Sequence, residues 1–538
     1  MFTKRNALLM GMLFLLLFVS ACGGAAAPES PRDQYVPPVE EPAAPAATEE
    51  PAFGHVYSPE GESQLSPSES TSQDWGVLPA KRQPYDTFFQ DYGVNPFIDT
   101  EDDHLSTFGL DIDTGSYTIA RNYLKDGLVV PPDSVRVEEY VNYFEQGYPN
   151  PPAHQAFTIS MDGAPSPFTQ TERYQMLRIG VQGYQIPDYE RKDASLTFVI
   201  DVSGSMDMDN RLGLVKRSLE LLVEQLDRND SVSIVVYGSD ARVILDPTPG
   251  SKKDKILSAI YSLRPEGATN AEAGIRLGYR MALKAFNPNG INRVILCSDG
   301  VANVGNTEAD VILDEIRGHV EGGVTMTAIG FGMDNYNDIL MEQLADNGDG
   351  FYAYVDDMRE AKRLFIDNLT GTLQAIAMDT KIQVDFNREV VARYRLVGFE
   401  NRAIADEDFR DNSVDAGEIG AGHSVTALYE VKLYPEAYGN IATVYLRWQD
   451  PDTRQVVELS KDFQVTDLER EFDRANPYFQ RAVVVAEFAE ILKESYWAEG
   501  SSFDNVYREA IRISDYFGRD EDMSELLDMM RRAGRWFD

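Results

Sequence analysis

The sequence predicts an α/β fold: a doubly wound, mostly parallel sheet, inserted in or flanked by an antiparallel β-sandwich, with a small C-terminal helical segment. Three observations carry this. Leu196 to Ile200 is an apolar run that reads as a strand buried on both faces, and it ends at Asp201-Val-Ser-Gly-Ser-Met206, just ahead of a helical pattern. A second such run, Val294 to Cys297, ends in Ser298-Asp299-Gly300. Strands and helices alternate between and after these runs, whereas from Met378 onward polar and apolar residues alternate between turn signals, as in a sandwich.

The first residues are expected to be a targeting segment, 1–21. Lys4 and Arg5 form its basic start, and Leu8 to Val19 is an apolar run short for a membrane span. Residues 22–94 are rich in Pro, Ala, Glu and Ser and read as a disordered tether. A coil of about 70 residues spans roughly 45 Å.

Order is expected from residue 95. Residues 95–193 hold a strand and helix around Leu105 to Asp126, a stretch Val135 to Phe144 introduced by Pro131-Pro132, and two alternating strands, Phe157–Met161 and Tyr174–Val181. Those two strands are too few to bury a sheet alone, so they should pair with the later sandwich, leaving the α/β part as an insertion with its site pointing away. Residues 194–375 form the α/β part. Its further strands are expected at Ser231–Tyr237, Ala241–Leu245 (an antiparallel edge), Val324–Gly330 and Tyr352–Val355, with helices at Asp338–Ala345 and Met358–Leu373. Residues 376–467 give the sandwich strands Lys381–Asp385, Val390–Val397, Ser424–Leu433, Thr443–Trp448 and Gln455–Phe463. Residues 468–538 are helical.

The chain has 538 residues, 43% of them hydrophobic, enough for substantial cores. A net charge of −39 opposes nucleic acid and anionic lipid surfaces. Five histidines make a histidine-rich zinc site a poor expectation. Of two cysteines, Cys297 falls in a core strand and reads as a small buried hydrophobe.

Asp201, Ser203 and Ser205 offer three hard oxygens from one loop at the carboxyl edge of a parallel sheet, where ligands of such sheets bind. That donor set suits a small divalent cation. Gly267-Ala-Thr269-Asn270 ahead of a helix and Asp299 at a second strand end complete a pattern. The pattern resembles the metal-ion-dependent adhesion site of von Willebrand factor A-type domains. A plainer reading makes Ser203, Ser205 and Thr269 helix caps and Asp299 the start of a turn. Val19-Ser-Ala-Cys22 resembles the lipobox of bacterial lipoproteins, in which Cys22 would carry the lipid. Ser106-Thr-Phe108, Asp111-Ile-Asp-Thr114, Val135-Arg-Val-Glu-Glu139, Asn142-Tyr-Phe144, Asn303-Val-Gly305, Glu342-Gln-Leu-Ala-Asp346 and Ala416 to His423 are similar to phrases in a family of bacterial A-type-domain lipoproteins. This likeness runs through nearly all of the chain beyond residue 95.

The resemblance implies one Mg²⁺ (or Mn²⁺ or Ca²⁺) held by Asp201, Ser203 and Ser205 directly, and by Thr269 and Asp299 directly or through water. It implies cation-dependent binding of a protein partner through an Asp or Glu carboxylate, on a protein anchored by Cys22 to a bacterial membrane with its folded part outside the cytoplasm. It implies no enzyme. Two alternatives stand beside it: a metal-independent scaffold of an envelope assembly, and an envelope hydrolase. Gly204 is expected to let the loop turn, and Asp207 and Asn303 to shape its rim. Asp113-Thr-Gly-Ser116 matches an aspartic-protease phrase and Asp111-x-Asp113-Thr114 a dehalogenase phrase, but the protease chemistry needs a second Asp-Thr-Gly and the dehalogenase fold needs a longer α/β run. Both phrases are expected to brace a turn. Asp346-Asn-Gly-Asp-Gly350 lacks the terminal Glu of an EF-hand and reads as a turn, and His423 reads as a structural donor.

Overall fold

The computed structural model describes Thr87 and residues 89–537, except 153, 170, 172, 301–305, 334 and 335. The leader, Cys22, almost all of the tether and Asn303 lie outside the described residues. Two short strands, β1 (Ile98–Asp99) and β2 (Leu105–Gly109), precede helices α1 (Gly115–Lys125) and α2 (Val137–Asn142) and the hairpin β3 (Phe157–Pro165)/β4 (Tyr174–Gly183). Then come β5 (Ala194–Asp201), α3 (Arg211–Gln225), β6 (Ser231–Tyr237), β7 (Ala241–Pro249), α4 (Lys253–Ser262), α5 (Ala271–Lys284) and β8 (Ile291–Ser298). This part closes with α6 (Asn306–Glu321), β9 (Thr325–Gly330), α7 (Asp338–Asp346), β10 (Tyr352–Tyr354), α8 (Met358–Lys362) and α9 (Leu369–Leu373).

These strands form one six-stranded sheet in the order β10-β9-β8-β5-β6-β7, parallel except for β7. Such a sheet carries helices on both faces, so its central strands are apolar along their whole length. β5 is buried at every residue. Phe198 and Ile200 face a core with Leu212, Val215 and Leu219 of α3, while Val199 faces Ile275 and Tyr279 of α5. The predicted helix Met358–Leu373 is broken. Residues Arg363–Asp367 form a π turn between α8 and α9. Leu364, Phe365, Leu369 and Leu373 all face one core across this break.

After the α/β part, β11 (Ala375–Phe386), β12 (Val391–Val397), β13 (Ile419–Gly420), β14 (Ser424–Leu433), β15 (Asn440–Gln449) and β16 (Val456–Gln464) build two antiparallel sheets. One has the order β1-β12-β14-β4-β3. The other has the order β13-β11-β15-β16, with β2 also paired to β11. The early hairpin therefore finds its partner far down the chain: β4 pairs with β14 from Ser424↔Gln182 to Lys432↔Tyr174. The core between the sheets includes Phe108, Leu177, Tyr394, Tyr429 and Trp448, with Trp448 edge-on to Phe157 at 4.9 Å between ring centroids.

The two ends of the α/β insertion meet where it joins the sandwich, with the Lys192 N–H donating to Gln374 Oε1 at 3.0 Å. β5 runs from that junction to Asp201, a rise of roughly 25 Å, so Asp201 lies at the far end of the sheet. Helix α10 (Pro477–Leu492) packs on α2 and α12 (Glu521–Ala533) on α1, with α11 (Phe503–Phe517) packed against both α10 and α12, and α1 in turn covers the edge strand β10. No helix among the described residues is long and apolar enough to cross a membrane.

Candidate metal centre

The adjacent parallel strands β5 and β8 bring their last residues to one edge. Asp201 is fully buried. Its Oδ1 accepts from the Ser203 backbone N–H at 2.7 Å, and its Oδ2 accepts from the Ser298 hydroxyl at 3.0 Å. Ser203 Oγ and Ser205 Oγ are 3.1 Å apart. Burial pushes the Asp201 carboxyl up to about 6, and the hydrogen bonds from Ser203 act against that rise. Asp299, also buried, is raised by the same cause and lowered by Ser205 and Arg211, whose Nη1 lies 2.8 Å from Asp299 Oδ2.

The loop that carries Thr269 is sewn onto this group through its backbone. Gly204 N–H donates to Gly267 O at 3.2 Å, and Glu266 N–H donates to Val202 O. Asn270 N–H reaches Gly238 O at 2.9 Å, at the end of β6. Four of the expected donors, Asp201, Ser203, Ser205 and Asp299, are thus linked by side-chain contacts, and Thr269 is half-buried on the loop held against them.

The capping reading does not account for these hydroxyls. Ser203 precedes a 3-10 turn but makes no side-chain cap bond, and α5 is capped by Asn270, whose side chain accepts from Ala273 N. Gly204 is a correction. Its backbone is not left-handed, and a Cβ there would meet only Gly267 O at 3.6 Å, an ordinary contact. The glycine the turn requires is Gly267, at φ +74°, where a side chain would collide with Ser239. Asp207 is exposed.

Two residues of the centre carry no signal in the sequence pattern: Tyr237, buried beside Asp201, and Arg211, which crosses from α3. Ser298, which anchors Asp201, belongs to the Ser-Asp-Gly strand end but was not among the expected donors. Two carboxylates, a pair of serine hydroxyls and a threonine loop form a hard-oxygen set that fits a divalent cation such as Mg²⁺.

The other singled-out residues have structural surroundings. Asp111 accepts from Asp113 N–H and from Arg402 Nε, and Asp113 accepts from Tyr352 N–H at 2.9 Å, so these carboxylates brace the turn before α1. Cys297 is fully buried, and burial pushes its thiol well up. His423 is held low, to about 4, by burial and then by Arg293; its Nδ1 has no hydrogen-bond partner, so the expected donor role is not made there. The turn around Asp349 does bring carboxylates together, as Asp349, Asp415 and Glu418 have oxygens within 4.8 Å of one another. Burial and then Asp415 push Asp349 up to about 7.

Comparison with known proteins agrees with this architecture. Residues 195–367 match the von Willebrand factor type A domain family, residues 83–178 a family described as von Willebrand factor, and residues 371–534 one described as uncharacterized protein YfbK, C-terminal. The chain is 39% identical over 350 residues to the uncharacterized protein YfbK of Escherichia coli, covering 64% of this chain and 61% of that protein. It is 24% identical over 336 residues to the human inter-alpha-trypsin inhibitor heavy chain H3, covering 60% of this chain and 34% of that one. Among solved structures, a von Willebrand factor type A protein from Catenulispora acidiphila aligns with a TM-score of 0.43 at 15% identity, covering 72% of this chain and 91% of its own.

Proposed function

Starting from the von Willebrand factor type A domain at residues 195–367, we propose that this chain is a cell-envelope lipoprotein that binds protein partners through a divalent cation. The supporting observation is the gathering of Asp201, Ser203, Ser205 and Asp299 at one sheet edge, with the Thr269 loop fastened to them. Asp201, Ser203 and Ser205 would hold the ion directly, and Thr269 and Asp299 directly or through water. Two carboxylates bring only two negative charges, so a bound Mg²⁺ or Mn²⁺ would retain Lewis acidity toward an Asp or Glu carboxylate of a partner. Cys22 would carry the lipid that holds so acidic a chain at a bacterial membrane, outside the cytoplasm, with residues 22–94 as the tether.

Calorimetric titration of the full chain with MgCl₂ and MnCl₂ tests the reading, with D201A as the control. Heat with wild type and none with D201A is expected; no heat with wild type favours a metal-independent scaffold, and equal heat with both proteins overturns the assignment of the site. Pull-down from envelope extract, with and without EDTA, should yield a partner lost upon chelation. A second reading, a scaffold that uses the domain without metal, is favoured by one contact: the Arg211 guanidinium already supplies positive charge to Asp299. Turnover of a phosphoester or peptide substrate, abolished in D201A, would replace both readings with an envelope hydrolase.

A further inference from the structure

Arg211 is the first residue of α3, directly after the 3-10 turn Gly204–Asn210 that follows the Ser203–Ser205 loop. A long cationic side chain there would ordinarily extend into solvent. Instead it is 4% exposed and runs across the sheet edge to Asp299, with Nη1 2.8 Å from Oδ2. The space it occupies is provided by Gly332, in the loop after β9. Gly332 sits at φ +95°, and any side chain there would overlap the Arg211 guanidinium. The arginine is thus held by three elements: it starts on α3, ends on the residue after β8, and passes through a gap kept open after β9.

We infer that Arg211 is a built-in competitor for the cation and sets the affinity of the centre. This rests on the metal-binding reading above and deepens it. Asp201 and Asp299 offer two negative charges, and the guanidinium neutralises one of them in surroundings with little water, where charge interactions are strong. Asp299 therefore faces two rivals. An arriving ion meets both a carboxylate already engaged and a nearby positive charge that repels it. The centre of this chain is a weak cation site by construction, filled at high free cation and held by its own arginine at low free cation.

The test is titration of the full chain with MnCl₂ and MgCl₂, comparing wild type with Arg211→Gln, Arg211→Met and Arg211→Lys, each checked for intact folding by thermal unfolding in EDTA. Gln and Met remove the charge, and Met keeps an apolar stem in the buried slot should Gln fail to fold. Both charge-free variants should bind the ion at least about tenfold more tightly than wild type. Arg211→Lys, which keeps the charge, should stay within about threefold of wild type by the same reasoning. Equal affinity in wild type and the charge-free variants overturns the role of Arg211 and leaves the metal-binding reading standing. No binding in any of the four proteins overturns both.

Discussion

The Asp113 carboxylate accepts a hydrogen bond from the Tyr352 backbone N–H at 2.9 Å, which ties the turn ahead of α1 to the edge strand β10. Asp113 is buried, and burial, then the neighbouring Asp111, holds its carboxyl well above the usual range. Asp113→Ala would leave the buried Tyr352 N–H without its acceptor, at a cost of about 1–3 kcal/mol. Urea unfolding should show a lower midpoint with an unchanged slope. Asp113→Asn keeps an acceptor oxygen, so it should lose far less than the alanine variant.

Arg136 of the α2 approach meets three carboxylates: Glu139, Asp338 Oδ2 at 2.8 Å and Glu342 Oε2 at 3.6 Å. Asp338 and Glu342 lie on α7 of the inserted domain, so this cluster fastens the N-terminal region to it. Arg136→Met strands buried carboxylates and should cost about 3–5 kcal/mol. Limited proteolysis should then cut between residues 95 and 150 in the variant before it cuts wild type.

The same cluster fixes a direction with pH. Burial pushes Glu139 up to about 8 and Glu342 up to about 7, outweighing the attraction of Arg136. Groups raised on folding bind protons more tightly in the folded state. Their contribution to stability is complete below the unfolded carboxyl value of about 4.3 and is lost as pH rises through 7 to 8. The melting temperature of wild type should fall between pH 5 and pH 9, and Glu342→Gln should flatten that fall. A melting temperature that rises over this range would contradict the assignment.

Trp448 on β15 packs edge-on against Phe157 on β3, joining the two sandwich sheets. Trp448→Ala should cost about 3–5 kcal/mol, because the rigid strands around it cannot close the cavity. Differential scanning calorimetry of the full chain measures it.

Cys297 lies in β8, flanked by β5 and β9, with no exposed surface. A thiol reagent should react with it only as fast as the inserted sheet opens. Reaction in native buffer at the rate of a free thiol would mean that the sheet opens far more readily than its burial implies.

Much of the centre was legible because each part has a local signature. β5 and β8 read as strands from their unbroken apolar runs, and the polar residues that end them fall at one edge once the strands are parallel neighbours. The pairing of Phe157–Gly183 with a later sheet followed from size, since two strands cannot bury a face alone. Arg211 was not legible, since no spacing tells where a long side chain on the first turn of a helix will reach; its course depends on the gap at Gly332, four strands of sequence away. The cluster of Arg136, Asp338 and Glu342, which Arg402 joins through Glu342, was hidden for a related reason. In sequence, charged residues on amphipathic helices look like a solvated face, and only packing of three separate segments turns them inward. The π turn at Arg363–Asp367 was not legible because Phe365, Leu369 and Leu373 keep the four-residue spacing of an unbroken helix.

The partnership of β4 with β14 also constrains how the chain comes to be folded. Gln182 donates to the Gly422 carbonyl across 240 residues of sequence. During synthesis the hairpin β3–β4 leaves the ribosome with one flank exposed, and the strand that will cover it emerges only after the whole inserted domain. The inserted domain, whose contacts are nearer in sequence, can mature first, while the hairpin waits with open backbone donors and acceptors. A nascent chain halted before β14 has emerged would therefore carry a finished inserted domain beside an adhesive strand, and is the species a holding chaperone would need to shield.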